Sequence, residues 1–489
     1  MADNKAYLAA VEGGGTTFVV SVACVSSSSV ANSNNDENNN ILSIGCTKLH
    51  LLHTATIPKR DDNGEIPNNY TPEEIISEAC SFFRTHLPPD GRGHYSALGI
   101  ASFGPAGVDP KSKDQYGKIL SGSPKKQWRG VDILSPITEA CGLMGGELEK
   151  RVAFDTDCNA PALAEFQHRC WQQQQHQEQS SNTSSSKPLT SLSYITIGTG
   201  VGVGLVLNSQ PLHGLLHPEG GHICIQPLPD DKFTGYSWGA KSPYKGLGTV
   251  EGVASSVALT ERWIQMEQER EMVKKLYGKG SSGSGSGGNG SSPSRKRDEE
   301  QEQPSKISIN DNNNNGDNAQ TREILSTLPN SHPIWLHASN AIANLCVSLL
   351  LLTSCQKIVL GGGIMKRDIL YSMVRSQVWT LLNGYLDSVE ELSDERKLED
   401  VIVGSSWEEV GSGLVGAFAL ALDAYEKDGK EEGEEEGRTL LLDSDASGKK
   451  KTTLESEQRL FTSGVLVGIG LSFGCALMMS LLGRGSPRR

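Results

Sequence analysis

Asp155 and Asp157 stand in Asp155-Thr156-Asp157-Cys158-Asn159, between a short apolar run and the start of a helical pattern. A carboxylate at such a corner can take a proton from a substrate hydroxyl, and it can equally cap the helix that follows. Asp157 is the leading candidate for a general base. Asp155 suits a supporting or metal-facing place, with capping open for both. Three glycine turns offer a second kind of chemistry: Gly13-Gly14-Gly15-Thr16, Gly198-Thr199-Gly200 and Gly361-Gly362-Gly363. Successive glycines present backbone N–H groups to an anion with no Cβ in the way. One such turn could be purely structural. Two in matching hairpins and a third at a strand-to-helix junction point to a nucleotide held between two halves. Phosphoryl transfer to an alcohol needs a base and held phosphates together. A further constellation, His217-Pro218-Glu219-Gly220-Gly221-His222, reads alone as a metal half-site, part of a substrate pocket, or a glycine turn.

The elements that must position these residues follow from hydrophobic periodicity. Tyr7–Val11 and Phe18–Val25 flank the first glycine turn as a hairpin, and Leu192–Ile197 and Val201–Leu207 flank the second. Ile41–Leu49, Ala97–Ala101, Arg151–Asp155 and Lys357–Leu360 read as further strands. Thr71, Pro72 and Glu74 form a helix-start signature, cap, first-turn proline and capping box. Helices are also expected at Ile133–Cys141, Ala160–Cys170, His332–Leu352 and Val410–Tyr425. Two glycine-turn hairpins, each opening a β-rich half decorated by helices, indicate an approximate internal duplication.

Composition bounds the rest. Residues 26–40, 172–187 and 278–322 are polar and low in complexity, and are expected to be disordered insertions. Residues 426–459 read as an acidic, polar linker; Glu426 to Gly437 alone carries seven acidic residues against two lysines. The remainder, about 350–380 residues, suits a two-lobed enzyme. A net charge of −13 argues against nucleic acid as a partner. Ten scattered cysteines without a C-x-x-C pair suit reduced thiols. The first residues lack the basic-then-apolar pattern of a signal peptide. From Phe461 to Leu482 there are 22 uncharged residues between Arg459 and Arg484, with only seven residues after them. That is enough to cross a hydrocarbon core of about 30 Å as a helix, and a membrane anchor is expected there.

Taken together, the motifs resemble the ROK family of sugar kinases within the actin-like, hexokinase-type ATPase fold, and more closely its bacterial-type fructokinase branch. The resemblance runs from residue 6 to about 425, insertions excepted. It rests on Glu12-Gly-Gly-Gly-Thr16-Thr-Phe-Val19, Ser102-Phe-Gly-Pro105, Ser123-Pro-Lys-Lys-Gln-Trp128, Asp155 to Asn159, Tyr194 to Gly204, His217 to His222 and Lys357 to Met365. It implies an α/β, two-lobed actin-like (ribonuclease H-like) fold with duplicated lobes at 6–145 and 146–425, a cleft between them, and the 410–425 helix packed back on the first lobe. It implies ATP-dependent phosphorylation of a hexose, fructose first, with Asp157 as base. Gly14, Gly15, Thr16, Thr17, Gly198, Thr199 and Gly200 would hold the phosphates. Gly361, Gly362 and Gly363 would border the adenosine, and Gly104, Asn159, Glu219, His222 and Glu251 would meet the sugar. Magnesium would come with ATP, near Glu12 and Asp155. The family tends to form homodimers.

One departure stands out. In this family the second histidine of the pocket motif usually binds zinc with Cys, His and Cys further on. Here the corresponding positions are Ser242, Lys245 and Gly248 or Thr249, leaving His222 with Cys224 as a distant possibility. Structural zinc wants four N or S ligands, so none is expected. Glucose, mannose or N-acetylhexosamine remain as acceptors, and a non-catalytic membrane-tethered sugar sensor is the reading from another class. The family's regulators carry a DNA-binding segment ahead of the first strand, which here starts at about residue 6. With a kinase domain in the cytosol, the anchor is expected in the mitochondrial outer membrane ahead of peroxisome or endoplasmic reticulum.

Overall fold

The computed structural model describes residues 5–14, 16–26, 40–59, 70–179, 187–239, 241–277, 323–407 and 411–445. The chain divides into two compact units, Met1–Glu426 and Lys427–Arg489, and both sheets and every described candidate site residue lie in the first. Most of the insertions at 26–40 and 278–322 and the whole apolar stretch 461–482 lie outside the described residues.

Short, nearly continuous apolar runs make β1 (Tyr7–Gly13) and β2 (Phe18–Ser26) an antiparallel hairpin buried on both faces, with Gly13 opposite Phe18. Four more strands complete a six-stranded sheet: β3 (Ile41–Ile44), β4 (Thr47–Ile57), β5 (Ala97–Ser102) and β6 (Val152–Thr156), in the order β3-β4-β2-β1-β5-β6. The expected single strand at Ile41–Leu49 is thus two. Gly45 turns the chain at φ +59°, where a side chain would be strained, and β4 runs on to pair with β2. The second sheet follows the same plan. β7 (Leu192–Ile197) and β8 (Val201–Leu207) form a hairpin, β9 (Gln210–Pro211) extends it, and β10 (Lys357–Gly361) and β11 (Ile402–Gly404) add parallel strands beside β7. In the first sheet β5 and β6 add in parallel beside β1 in the same way. The duplication is therefore topological. β6 belongs to the first sheet although it falls after residue 146, because its register with β5 continues the parallel ladder.

Helices cover both faces of each sheet. α1 (Pro72–Thr85) starts at the Thr71–Glu74 capping box and, with α2 (Leu134–Ala140), buries Ile75, Ile76, Phe83 and Ile137 against the first sheet. Full burial of an apolar side chain of this size stabilises by about 1.5–3 kcal/mol. α3 (Asn159–Gln179) packs Ala160, Leu163 and Ala164 into the first sheet's second core, and Ala162 and Phe166 against β7, β8 and β10. It runs on to Gln179, into the insertion expected to be disordered. Glutamine is a good helix former, and Gln173 is tied to residues 187 and 189 by hydrogen bonds.

α4 (Val250–Ala254), α5 (Ser256–Tyr277), α6 (Ile334–Thr353) and α7 (Ile369–Leu382) follow. Of these, α4, α6 and α7 supply much of the second sheet's core. α6 is long and apolar enough to cross a membrane, but 67% of its most apolar window is buried inside the fold. α8 (Ser412–Asp445) lays Val415, Phe418 and Leu422 on the first sheet. Its helix continues through much of the stretch read as linker, where Glu, a good helix former, is the commonest residue.

Candidate active site

The corner that holds Asp157 is built by its neighbours. The Asp157 N–H donates to the Ser102 carbonyl at 2.8 Å, extending the β5–β6 ladder by one residue. Thr156 Oγ1 then accepts from the Asn159 N–H at 3.0 Å and caps α3. The capping that sequence left open for the two aspartates thus belongs to Thr156, and the Asp157 carboxylate is left for other work. It lies deep among protein atoms yet keeps a solvent-facing side. Burial pushes its pKa up to about 7, with the negative charge of Glu12 adding to the rise; the Cys158 thiol, 3.4 Å from Oδ1, and the Lys125 ammonium oppose it. A carboxylate poised near neutral pH matches what a general base needs.

Asp155 is spent on structure. Its Oδ1 accepts from the Thr156 N–H at 2.7 Å and from Asn159 Nδ2 at 3.1 Å, and its Oδ2 faces His213 Nε2 at 2.8 Å. Asn159, expected at the sugar, is fully buried: its amide donates to Asp155 and the Leu212 carbonyl and accepts from the Leu205 N–H. It ties α3 to the second hairpin. Glu12 lies against the first turn of α8, where a Cβ on Gly413 would meet Oε1 at 2.3 Å and where the Leu414 N–H bonds to it. Burial raises its pKa. With both Asp155 oxygens committed and Glu12 turned onto α8, these two carboxylates do not fit a protein-held magnesium.

The glycine turns divide by duty. In the first, the Gly14 N–H bonds to the Thr17 carbonyl at 2.8 Å, and Thr16 and Thr17 are half-buried; Gly15 lies outside the described residues. In the second, Gly198 bonds across the turn to Gly200 at 2.9 Å and Thr199 is exposed. Of the third, Gly361 and Gly362 are demanded by packing. A Cβ would meet the Tyr194 hydroxyl at 2.6 Å from Gly361 and the Ile197 carbonyl at 2.5 Å from Gly362, whose φ is +90°. Only Gly363 opens onto free space.

His217-Pro-Glu-Gly-Gly-His222 resolves into two parts. His217 is buried and accepts from the Ala106 N–H at Nε2, 3.1 Å, with its ring against Gly104. It braces the turn after β5. Glu219 and His222 face each other at 3.6 Å, and Glu251 approaches His222 at 3.8 Å. Glu219 keeps 43% of its side chain exposed, yet its deep setting and the charges of Glu251 and Asp157 raise its pKa to about 7. Glu251 also bonds the Val201 N–H through Oε2 at 2.9 Å, against Gly200, so it links the His222 loop to the second glycine turn. Sequence reasoning missed Lys125, His213 and this link, because all three depend on loops meeting across long sequence distances.

Zinc does not fit these residues. The Thr249 hydroxyl already donates to the Gly246 carbonyl and accepts from the Gly252 N–H, capping α4. Ser242 and Lys245 supply no thiolate or imidazole, and His222 is flanked by carboxylates. Two surface hollows, one beside α1 and residues 129–136 and one around the Asp231–Arg262 ion pair, include none of the candidate residues.

The ROK family model matches residues 42–424. The chain belongs to the ROK family. Among ROK relatives, it is 29% identical to the fructokinase of Zymomonas mobilis over 358 residues, 73% of this chain and 87% of that one. It is likewise 29% identical to a putative fructokinase of Bacillus subtilis over 369 residues, 75% of this chain and 89% of that protein. A ROK hexokinase structure from Thermus thermophilus superposes with a TM-score of 0.47 at 17% identity, covering 86% of this chain and 99% of the other.

Proposed function

We propose that this ROK protein is an ATP-dependent hexose kinase with fructose as the leading acceptor. The observation that carries the reading is Asp157, a carboxylate poised at about 7 at the end of β6, in a chain whose two hairpins both end in glycine turns. The Asp157 carboxylate takes the proton of the sugar hydroxyl as that oxygen attacks the γ-phosphorus. The bond from γ-phosphorus to the bridging oxygen breaks, giving a sugar phosphate and ADP. The two glycine turns orient the phosphates through groups other than the Gly14 and Gly198 N–H, which close the turns themselves, and Glu219, His222 and Glu251 orient the sugar. Magnesium, when bound with the nucleotide, would neutralise phosphate charge. The fructokinase relatives support phosphorylation of a hexose; fructose is put first, and glucose, mannose and N-acetylhexosamines are the competing substrates.

Sugar-dependent ADP release over a hexose panel tests this directly. Fructose is expected to give the highest kcat/KM, and Asp157→Asn to lower kcat by about 10²–10⁴-fold. Near-normal turnover by that variant would sink the assignment. We further propose that residues 461–482 anchor the chain in a membrane, the mitochondrial outer membrane first, supported by 22 uncharged residues between arginines.

A further inference from the structure

Lys125 belongs to the site, and the proton transfer leaves it unused. Its backbone is fixed. The buried Ser123 hydroxyl donates to the Gly104 carbonyl at 3.3 Å, the Lys125 N–H donates back to that hydroxyl at 3.3 Å, and Arg129 Nε holds the Ser123 carbonyl at 2.7 Å. Its ammonium sits over an aromatic shelf. Nζ lies 5.6 Å from the centroid of Phe103, which meets Trp128 edge-on at 5.4 Å, and Trp128 stacks on Phe18 at 5.3 Å. Apart from that ring face, among the described residues, no carboxylate or other acceptor lies within ion-pair or hydrogen-bond distance of Nζ. Burial pushes the amine's pKa down while the Asp157 charge pulls it up. A preorganised, partly desolvated cation without acceptors is costly unless a ligand provides them.

The loop's connections bear on which ligand. Ser123 hangs from Gly104, Gly104 packs under His217, and His217 leads directly to Glu219 and His222. Lys125 therefore sits on a hydrogen-bonded loop that runs to the residues assigned to the sugar, while its aromatic shelf also abuts the first glycine turn, where the Phe103 N–H bonds to the Gly13 carbonyl at 2.9 Å. The sugar and ATP KM values decide between the two.

We propose that Lys125 is a substrate-binding, specificity-determining residue whose ammonium donates to an oxygen of the acceptor sugar beside the hydroxyl that Asp157 deprotonates. The proposal rests on the sugar-kinase reading. An ammonium has three donors and no acceptor, so it favours hydroxyl or carbonyl oxygen and repels a protonated amine. Hexoses are then preferred over 2-amino-2-deoxyhexoses.

Lys125→Met keeps the stem and removes the donors and charge. With the hexose that wild type turns over best, its sugar KM should rise at least tenfold while its ATP KM stays within twofold. Its preference for that hexose over glucosamine should fall at least fivefold. Quenching of Trp128-region fluorescence by the sugar in nucleotide-free protein should weaken in parallel, and Lys125→Arg should recover part of the loss. An unchanged sugar KM, or a change confined to ATP KM, would overturn the proposal. A wild type that forms no ADP with any hexose would instead sink the kinase reading, and the fluorescence titration would still report on Lys125.

Discussion

Asp157 shows at the residue scale how a site works against stability. Its pKa is near 3.8 when unfolded and about 7 when folded. Between those values the unfolded chain has lost a proton that the folded chain retains, so each rise in pH favours unfolding. The penalty is complete above about pH 7 and absent below pH 3.8. Asp157→Asn is therefore expected to raise the melting temperature at pH 8 by a few degrees, with the gain vanishing toward pH 4, while activity is lost. A melting series of the two proteins against pH checks this. The same carboxylate should set the acid limb of wild-type kcat/KM. Below about pH 7 the base is protonated, and the rate should fall about tenfold per pH unit. Glu219, also raised to about 7, shares that limb, so the titration belongs to the coupled pair. An acid limb centred near 4 would contradict the burial that defines both groups.

At the scale of elements, glycines decide how closely strands, helices and turns approach. Gly99 on β5 leaves room for α8, since a Cβ there would stand 1.9 Å from the Ala417 carbonyl. Gly362 combines such contact with a left-handed backbone, whereas its neighbour Gly363 has open space around it. Gly362→Ala should cost several kcal/mol, well above the roughly 1–3 kcal/mol typical of overpacking alone, because strain and clash add. Gly363→Ala should leave the melting temperature nearly unchanged. Equal losses in thermal denaturation would show that the 361–363 turn is not built as described. His217 acts at this scale too, joining the turn after β5 to the loop that follows the second hairpin.

For the whole molecule, the repeated sheet plan explains why the chemistry is shared. Each sheet offers the glycine turn of its opening hairpin, and α3, leaving β6 beside Asp157, packs on both sheets. Both sheets and every described candidate site residue lie in Met1–Glu426, so the anchor proposed for residues 461–482 can be tested by truncation. Full-length protein should sediment with membranes and resist carbonate extraction, while a chain ending at Asp445 should remain in the supernatant with its kcat/KM unchanged. Soluble full-length protein would refute the anchor.

The sequence by itself determined the hairpins, the capping box at Thr71 and the glycine turns, and it put Asp157 at the junction of a strand and a helix. These are local: short apolar runs bounded by turns, cap chemistry and glycine's backbone freedom act over a few residues and survive in the linear text. Strand ends were blurrier, as the division of Ile41–Leu49 into β3 and β4 shows, because partner strands set them. Tertiary structure alone decided which polar groups were already committed. Asn159 and Asp155 look like site residues in the sequence and prove to be occupied by Leu205, Leu212 and His213, from segments some 50 residues away. Lys125 looks like one basic residue among several, and only the meeting of its loop with Gly104, Phe103 and Asp157 sets it apart. A hydrogen bond or a buried charge is a property of neighbours in space, and those neighbours are chosen by packing.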